Sequence, residues 1–263
     1  MKKVLFAVAA LATISTLPAI AADMRARPAP VYKAAPAMVA AHNWTGFYIG
    51  GQVGYQWSDD DHSVTATGVP GFGTFGPFLF ESDGAVYGGH AGFNWQAGQW
   101  VFGIEGDYEG SSVEGDGTFF PTGLTSTFTL DQKWQASLRG RLGWVAWDRA
   151  LIYATGGIAW SKFSNSGTFD TGGAIITEGS SDTMNGWTIG GGIEWAMWQN
   201  WSARIEYRYT DFDSFSFTST NFAPAIVTTD DLTFHTVRVG LSWRFGDWGK
   251  GPMAGKGPVV GKY

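Results

Sequence analysis

Residues 45–57 read Thr45-Gly46-Phe47-Tyr48-Ile49-Gly50-Gly51-Gln52-Val53-Gly54-Tyr55-Gln56-Trp57. The odd positions Phe47, Ile49, Val53, Tyr55 and Trp57 are apolar or aromatic, while the even ones are mostly Gly and Gln. Side chains alternate across a strand, so this period of 2 predicts a β-strand with one apolar face. The same period recurs seven times. Tyr87, Phe93 and Trp95 alternate with His90, Asn94 and Gln96; Phe102, Ile104 and Tyr108 with Glu105, Asp107 and Glu109. Trp134, Leu138, Leu142 and Trp144 oppose Lys133, Gln135, Arg139 and Arg141; Ile152, Ile158 and Trp160 oppose Tyr153, Thr155 and Ser161. Trp187, Ile189, Ile193 and Trp195 then face away from Thr188 and Glu194, and Ala203, Ile205 and Tyr207 from Arg204, Glu206 and Arg208. The last run sets Val237, Val239, Leu241, Trp243 and Phe245 against Arg238, Ser242 and Arg244.

The connections arrange these eight strands. Short turns at Ala97–Gln99, Asp148-Arg149 and Gln199-Asn200 alternate with long polar connections at about 58–83, 110–130, 164–184 and 212–231. That spacing predicts an all-β, eight-stranded antiparallel up-and-down barrel. Alternation does not say which face is inside. A soluble barrel, such as a secreted ligand carrier, buries its apolar face; a transmembrane β-barrel turns it outward to lipid, with short periplasmic turns and four long extracellular loops. Aromatics gathered near strand ends favour the second reading: Trp44, Phe47, Trp57, Trp95, Trp144, Trp160, Trp187, Trp195, Trp201, Trp243 and Phe245 suit an interfacial girdle. So does the glycine-rich polar face, which fits a crowded lumen.

Composition agrees. The 263 residues include 38 Gly and 14 Trp, with 15% charged residues, no Cys and a net charge of −6. An ordinary soluble domain carries roughly 25% charged residues. Without Cys there is neither a disulfide framework nor a thiolate site, and an acidic chain with no basic stripe argues against nucleic acid. Lys2-Lys3, the apolar run Val4–Leu17 and the small residues Ala19-Ile20-Ala21 read as an export signal over 1–22. An Ala/Pro-rich linker follows at 23–43, the barrel spans 44–245, and a Gly/Pro/Lys-rich tail closes the chain at 246–263.

With the polar faces inward, the strands place Glu105, Asp107, Glu109, Asp131, Glu194, Glu206 and Asp211 in the lumen with Lys133, Arg139, Arg141, Lys162, Arg204, Arg208, Arg238 and Arg244. An eight-stranded barrel is just wide enough for side chains to fill. A salt-bridged plug is therefore expected ahead of a narrow diffusion channel for small solutes. The long connections carry 13 acids and no Lys or Arg.

Nothing in the residues points to catalysis. His42, His62, His90 and His235 are the only histidines, and none stands in a nucleophile–base constellation. Gly71-Phe72-Gly73-Thr74-Phe75-Gly76 matches a dinucleotide fingerprint but lies between Pro70 and Pro77 with no helix to follow. Asp59-Asp60-Asp61 lacks the spacing of a calcium loop and reads as a solvated acidic tip. No metal and no cofactor are expected.

Three stretches carry a family resemblance: Trp44-Thr45-Gly46-Phe47-Tyr48-Ile49-Gly50-Gly51, Tyr153-Ala154-Thr155-Gly156-Gly157-Ile158-Ala159, and Val237-Arg238-Val239-Gly240-Leu241-Ser242-Trp243-Arg244-Phe245. In this order they resemble the first, fifth and last strands of the small eight-stranded outer-membrane proteins of α-proteobacteria, the porin-family surface antigens. The resemblance covers about 44–245. It implies an abundant protein of the cell outer membrane, inserted by the barrel assembly machinery, in contact with outer-membrane lipid and lipopolysaccharide, and contributing to envelope integrity. Family members usually end at a terminal Phe that the insertion machinery reads. Here 18 residues follow Phe245, so an internally read signal is expected.

Overall fold

The computed structural model describes residues 42–58, 62–69, 73–119, 126–170, 175–198, 200–218, 226–230 and 232–245. The expected signal, most of the linker, the tail and the Asp59–Asp61 tip lie outside these residues. Among the described residues twelve strands form: β1 (Gly46–Trp57), β2 (His62–Val69), β3 (Gly73–Phe80), β4 (Asp83–Ala97), β5 (Trp100–Phe119), β6 (Ser126–Trp147), β7 (Ala150–Asp170), β8 (Ile175–Ala196), β9 (Trp201–Phe212), β10 (Phe215–Thr218), β11 (Ile226–Asp230) and β12 (Leu232–Arg244).

Eight of them close a barrel in the order β1-β12-β9-β8-β7-β6-β5-β4. Each pairs antiparallel with its neighbour, and β1 seals the ring against β12 through pairs such as Ile49↔Trp243 and Val53↔Val239. Closure leaves the spanning sheet without an edge, which a bilayer requires. The Ala97↔Trp100 pair leaves a two-residue turn, where Gly98 supplies a φ of 64° that a side chain would resist.

The long connections differ from simple loops. Strands β5 to β8 run 20, 22, 21 and 22 residues, about twice the 9–11 that cross a bilayer. The expected loops at 110–130 and 164–184 are therefore mostly tall hairpins, because alternating Thr, Ser, Gly and Phe continue the ladder. The first and fourth connections supply β2, β3, β10 and β11, which form a second sheet in the order β10-β11-β2-β3. Gly73–Gly76 of the glycine-rich match belong to β3 rather than to a loop.

Apolar side chains face outward. Ile104 is 63% exposed, whereas its strand neighbour Glu105 is 1% exposed. The fold is inside-out relative to a soluble barrel.

Candidate functional site: the lumen and its seals

One inward position in every two, on strands that tilt around a small barrel, stacks the lumen in layers. At the short-turn rim the chain before β1 folds across the mouth. The Trp44 amide donates to Gln96 Oε1 (2.7 Å), Arg244 donates to the Asn43 carbonyl, and the Trp44 ring packs on Val101, Leu151 and Ala196. Trp44 is 2% exposed, so it is a plug residue and not part of the outer girdle. The reason is local: it precedes the first strand and is not bound by that strand's alternation. Beside it His42 donates its amide to the Asp148 carbonyl (3.1 Å), and burial together with nearby Arg244 pushes its imidazole down to about 4.

The next layer holds the charges. Cross-strand pairs Glu105↔Arg139, Glu194↔Arg204 and Glu206↔Arg238 set opposite signs side by side. Arg139 donates to Glu105 (2.6 Å), Asp107 (2.9 Å) and Glu206 (2.6 Å). Arg208 bridges Glu109 (2.7 Å) and Asp107 (3.2 Å), and Arg238 reaches Glu109 (3.0 Å) and Glu206. Arg204 donates to Glu105. Arg141 donates to Glu194 and stacks 3.8 Å over the Tyr153 ring. Five guanidinium groups thus meet five carboxylates, and Tyr48 and Tyr153 donate to Glu105 and Glu206 at 2.8 Å. Glycines make room for these heads: a Cβ on Gly92 would lie 2.5 Å from Tyr48 Oη.

Above the charges lies a neutral polar layer. Gln52 donates to Glu109 (2.7 Å), Gln56 to Gln132 (2.7 Å) and Gln132 to Ser161 (2.9 Å). An apolar layer follows, built from Val86, Val113, Leu130, Ala159, Phe163, Met184, Phe212, Leu232 and Phe234. The Phe163 ring stacks on Phe234 (5.9 Å) and meets Phe212 edge-on (5.5 Å). Sequence reading missed this layer, yet the signal is present: Phe212 has the parity of Arg208, and Phe234 that of Arg238.

Other expected lumen groups stand elsewhere. Lys133 sits in a bulge between Gln132 and Trp134 and is turned out, 3.0 Å from Asp131, with half its side chain exposed. The extra residue flips the strand phase, so Leu130 and Gln132 point inward and Asp131 points outward. Lys162 shares the outward parity of Ile158 and Trp160, and Asp211 that of Tyr207 and Tyr209. Arg244 keeps the inward parity at the rim. His90 lies opposite Asp107 in register and pairs with Ser242 Oγ at 2.7 Å; both are buried among charged neighbours. His235 is on the outer face, stacked on Trp57 (5.9 Å) and bonded to Tyr207.

The outer aromatics form two bands. Phe47, Trp95, Trp144, Trp195, Trp201, Trp243 and Phe245 are exposed near the short-turn rim. Trp57, Trp160 and Trp187 stand higher, among Tyr108, Trp134 and Tyr209, with contacts such as Trp187–Tyr209 at 5.3 Å and Tyr108–Trp134 at 5.7 Å.

A closed eight-stranded barrel with an apolar, aromatic-banded exterior and a charged interior is a transmembrane β-barrel of the outer membrane. The chain belongs to the family described as outer membrane protein beta-barrel domain, whose model it matches over residues 7–245. It is 32% identical to the 31 kDa outer-membrane immunogenic protein of Brucella melitensis over 93% of this chain and 100% of that one. It is also 34% identical to the 22 kDa outer membrane protein of Rhizobium leguminosarum bv. viciae over 66% of this chain and 67% of that one. Among solved structures it is similar to OprG of Pseudomonas aeruginosa, at 12% identity and a TM-score of 0.47, over 78% of this chain and 99% of that one. The chain is an outer-membrane barrel of this family.

Proposed function

We propose that the protein is a closed structural barrel of the outer membrane that tightens the envelope and presents an acidic outer surface. One observation carries the reading: the lumen is filled by five Arg and five carboxylates and capped by apolar clusters at both ends. An ion would have to displace bonded side chains to enter, then cross a layer of Phe and Leu that cannot solvate it. Pure, folded protein in planar bilayers is expected to give no stable unitary conductance. Recurrent channels of one size would favour the alternative, a narrow diffusion path for small solutes.

Acids of the long connections, among them Glu114, Asp116, Asp182 and Asp213, then meet the lipopolysaccharide layer, where divalent cations bridge carboxylates to phosphates. Neutralising those acids to Asn and Gln is expected to change the sensitivity of cells to EDTA; unchanged sensitivity leaves the acids a purely solubilising role. Residues 1–22 act as the export signal, and the barrel assembly machinery reads the last strand ending at Phe245. Recovery of heat-modifiable protein in isolated outer membranes tests this route, because a soluble carrier partitions into the aqueous phase.

A further inference from the structure

Above the bilayer the tall strands β5 to β8 stand as an open sheet whose two edges are treated differently. The β5 edge is broken by a bulge between Gly110 and Val113, and β3 packs beside it. The β8 edge has neither protection. Its ladder with β7 runs from Ala150↔Trp195 to Asp170↔Ile175 without a register shift, and β9 leaves β8 at the Gly186↔Phe212 pair. Residues 175–185 therefore have β7 on one side and, among the described residues, no strand on the other. They read Ile-Ile-Thr-Glu-Gly-Ser-Ser-Asp-Thr-Met-Asn, with none of the Lys or Pro that blunt exposed edges.

Backbone parity identifies the groups on that edge. The Asp213 amide donates to the Asn185 carbonyl at 3.0 Å, so odd residues of β8 point their N–H and C=O away from β7. Ser180, of the other parity, turns its amide to Asn165 Oδ1 on β7 (2.8 Å). Thr177, Gly179, Ser181 and Thr183 thus present donors and acceptors at strand spacing. Across from them lies β10, the outermost strand of the second sheet. A slot of about 430 Å³ separates the two, lined by Ser180, Asp182, Thr183, Asn185, Asp213 and Ser216 among others.

We propose that this slot docks an extended, cationic segment of another protein, which adds as a strand to the β8 edge. Backbone bonds to the odd residues of β8 supply affinity, and alternate side chains supply selectivity. Charge complementarity sets the sign of the partner: Asp182 and Asp213 flank the slot, and the long connections hold 13 acids and no Lys or Arg.

The test uses the full chain in detergent micelles and a fluorescent decapeptide of alternating Lys and Thr, read by anisotropy. Saturable binding is expected, and N-methylating alternate peptide amides should weaken it by about tenfold, since strand addition rests on main-chain bonds. Ser181→Pro removes an edge-facing N–H and spares the backbone bonds to β7, losing there only the Ser181–Ser164 hydroxyl pair (2.8 Å), and should produce a similar loss with unchanged heat-modifiable migration. Asp182→Asn with Asp213→Asn should weaken binding and flatten its salt dependence. Absence of binding overturns the proposal. So does equal binding of the N-methylated peptide, which reduces the interaction to charge alone, and that arm decides even if Ser181→Pro fails to fold.

Discussion

Glu105 shows what a single buried charge does in this barrel. Its carboxylate accepts from Arg139, Arg204 and Tyr48, and no water-exposed alternative exists for any of them. Replacing it by Gln leaves guanidinium charge uncompensated in a sealed interior. Breaking a buried pair in this way costs about 3–5 kcal/mol, so Glu105→Gln should lower the temperature at which the folded band is lost on unheated gels and reduce the denaturant midpoint. His42 makes a prediction of opposite character. Its folded pKa is about 4 against an ordinary 6.5, so the folded form holds it neutral while the unfolded chain protonates it below 6.5. Its contribution is complete above 6.5 and falls away as pH drops toward 4. His42→Gln should flatten the loss of stability across that window, measured by denaturant titration at each pH.

At the scale of elements, the bulge at Lys133 matters more than the lysine. Drawn into the ladder, Lys133 would turn Gln132 and Leu130 outward; deleting it instead removes the extra residue and leaves both facing inward, in continuous register with β7. The deletion should therefore still yield heat-modifiable barrel, and Lys133→Ala should fold and stay within about 0.5 kcal/mol of the parent, as exposed substitutions do. The sequence reading placed Lys133 in the lumen because strict alternation was assumed through a position where the ladder gains a residue. Trp44 was misplaced for a related reason. It lies before the first strand, and nothing in the alternation tells whether such a residue stays in the interface or folds back over the mouth. By contrast Arg139, Arg141, Arg204, Glu206, Arg208 and Arg238 were legible, since each sits inside an unbroken run whose parity is fixed by exposed neighbours such as Leu138, Ile205 and Val239.

Over the whole molecule, the lumen has three barriers in series, and removing one should not open it. Phe163→Ala, Phe212→Ala and Phe234→Ala together dismantle the apolar layer at a cost of about 3–5 kcal/mol per ring at most, yet the charged layer beneath remains filled. Planar-bilayer recordings of the triple variant, where it folds, should stay silent. Conductance restored by this variant alone would place the gate in the apolar layer and empty the charged layer of its blocking role.

The sequence by itself determined the eight strands of the barrel, the meander and the two alternating faces, because these follow from period-2 alternation and the order of short and long connections, and the aromatics gathered at strand ends turned the apolar face outward and the rows of charge inward. Only the tertiary structure decided how Glu105 and its partners interlock, that the long connections rise as tall hairpins, that the first and fourth of them pair into a second sheet, and that Trp44 and the Phe163 cluster close the two mouths. Those features depend on which strands become neighbours across the ring and on where a bulge resets the phase. Contacts between residues 57 to 129 positions apart, such as Tyr48 with Glu105 or Glu109 with Arg238, are set by barrel closure and leave no local signature.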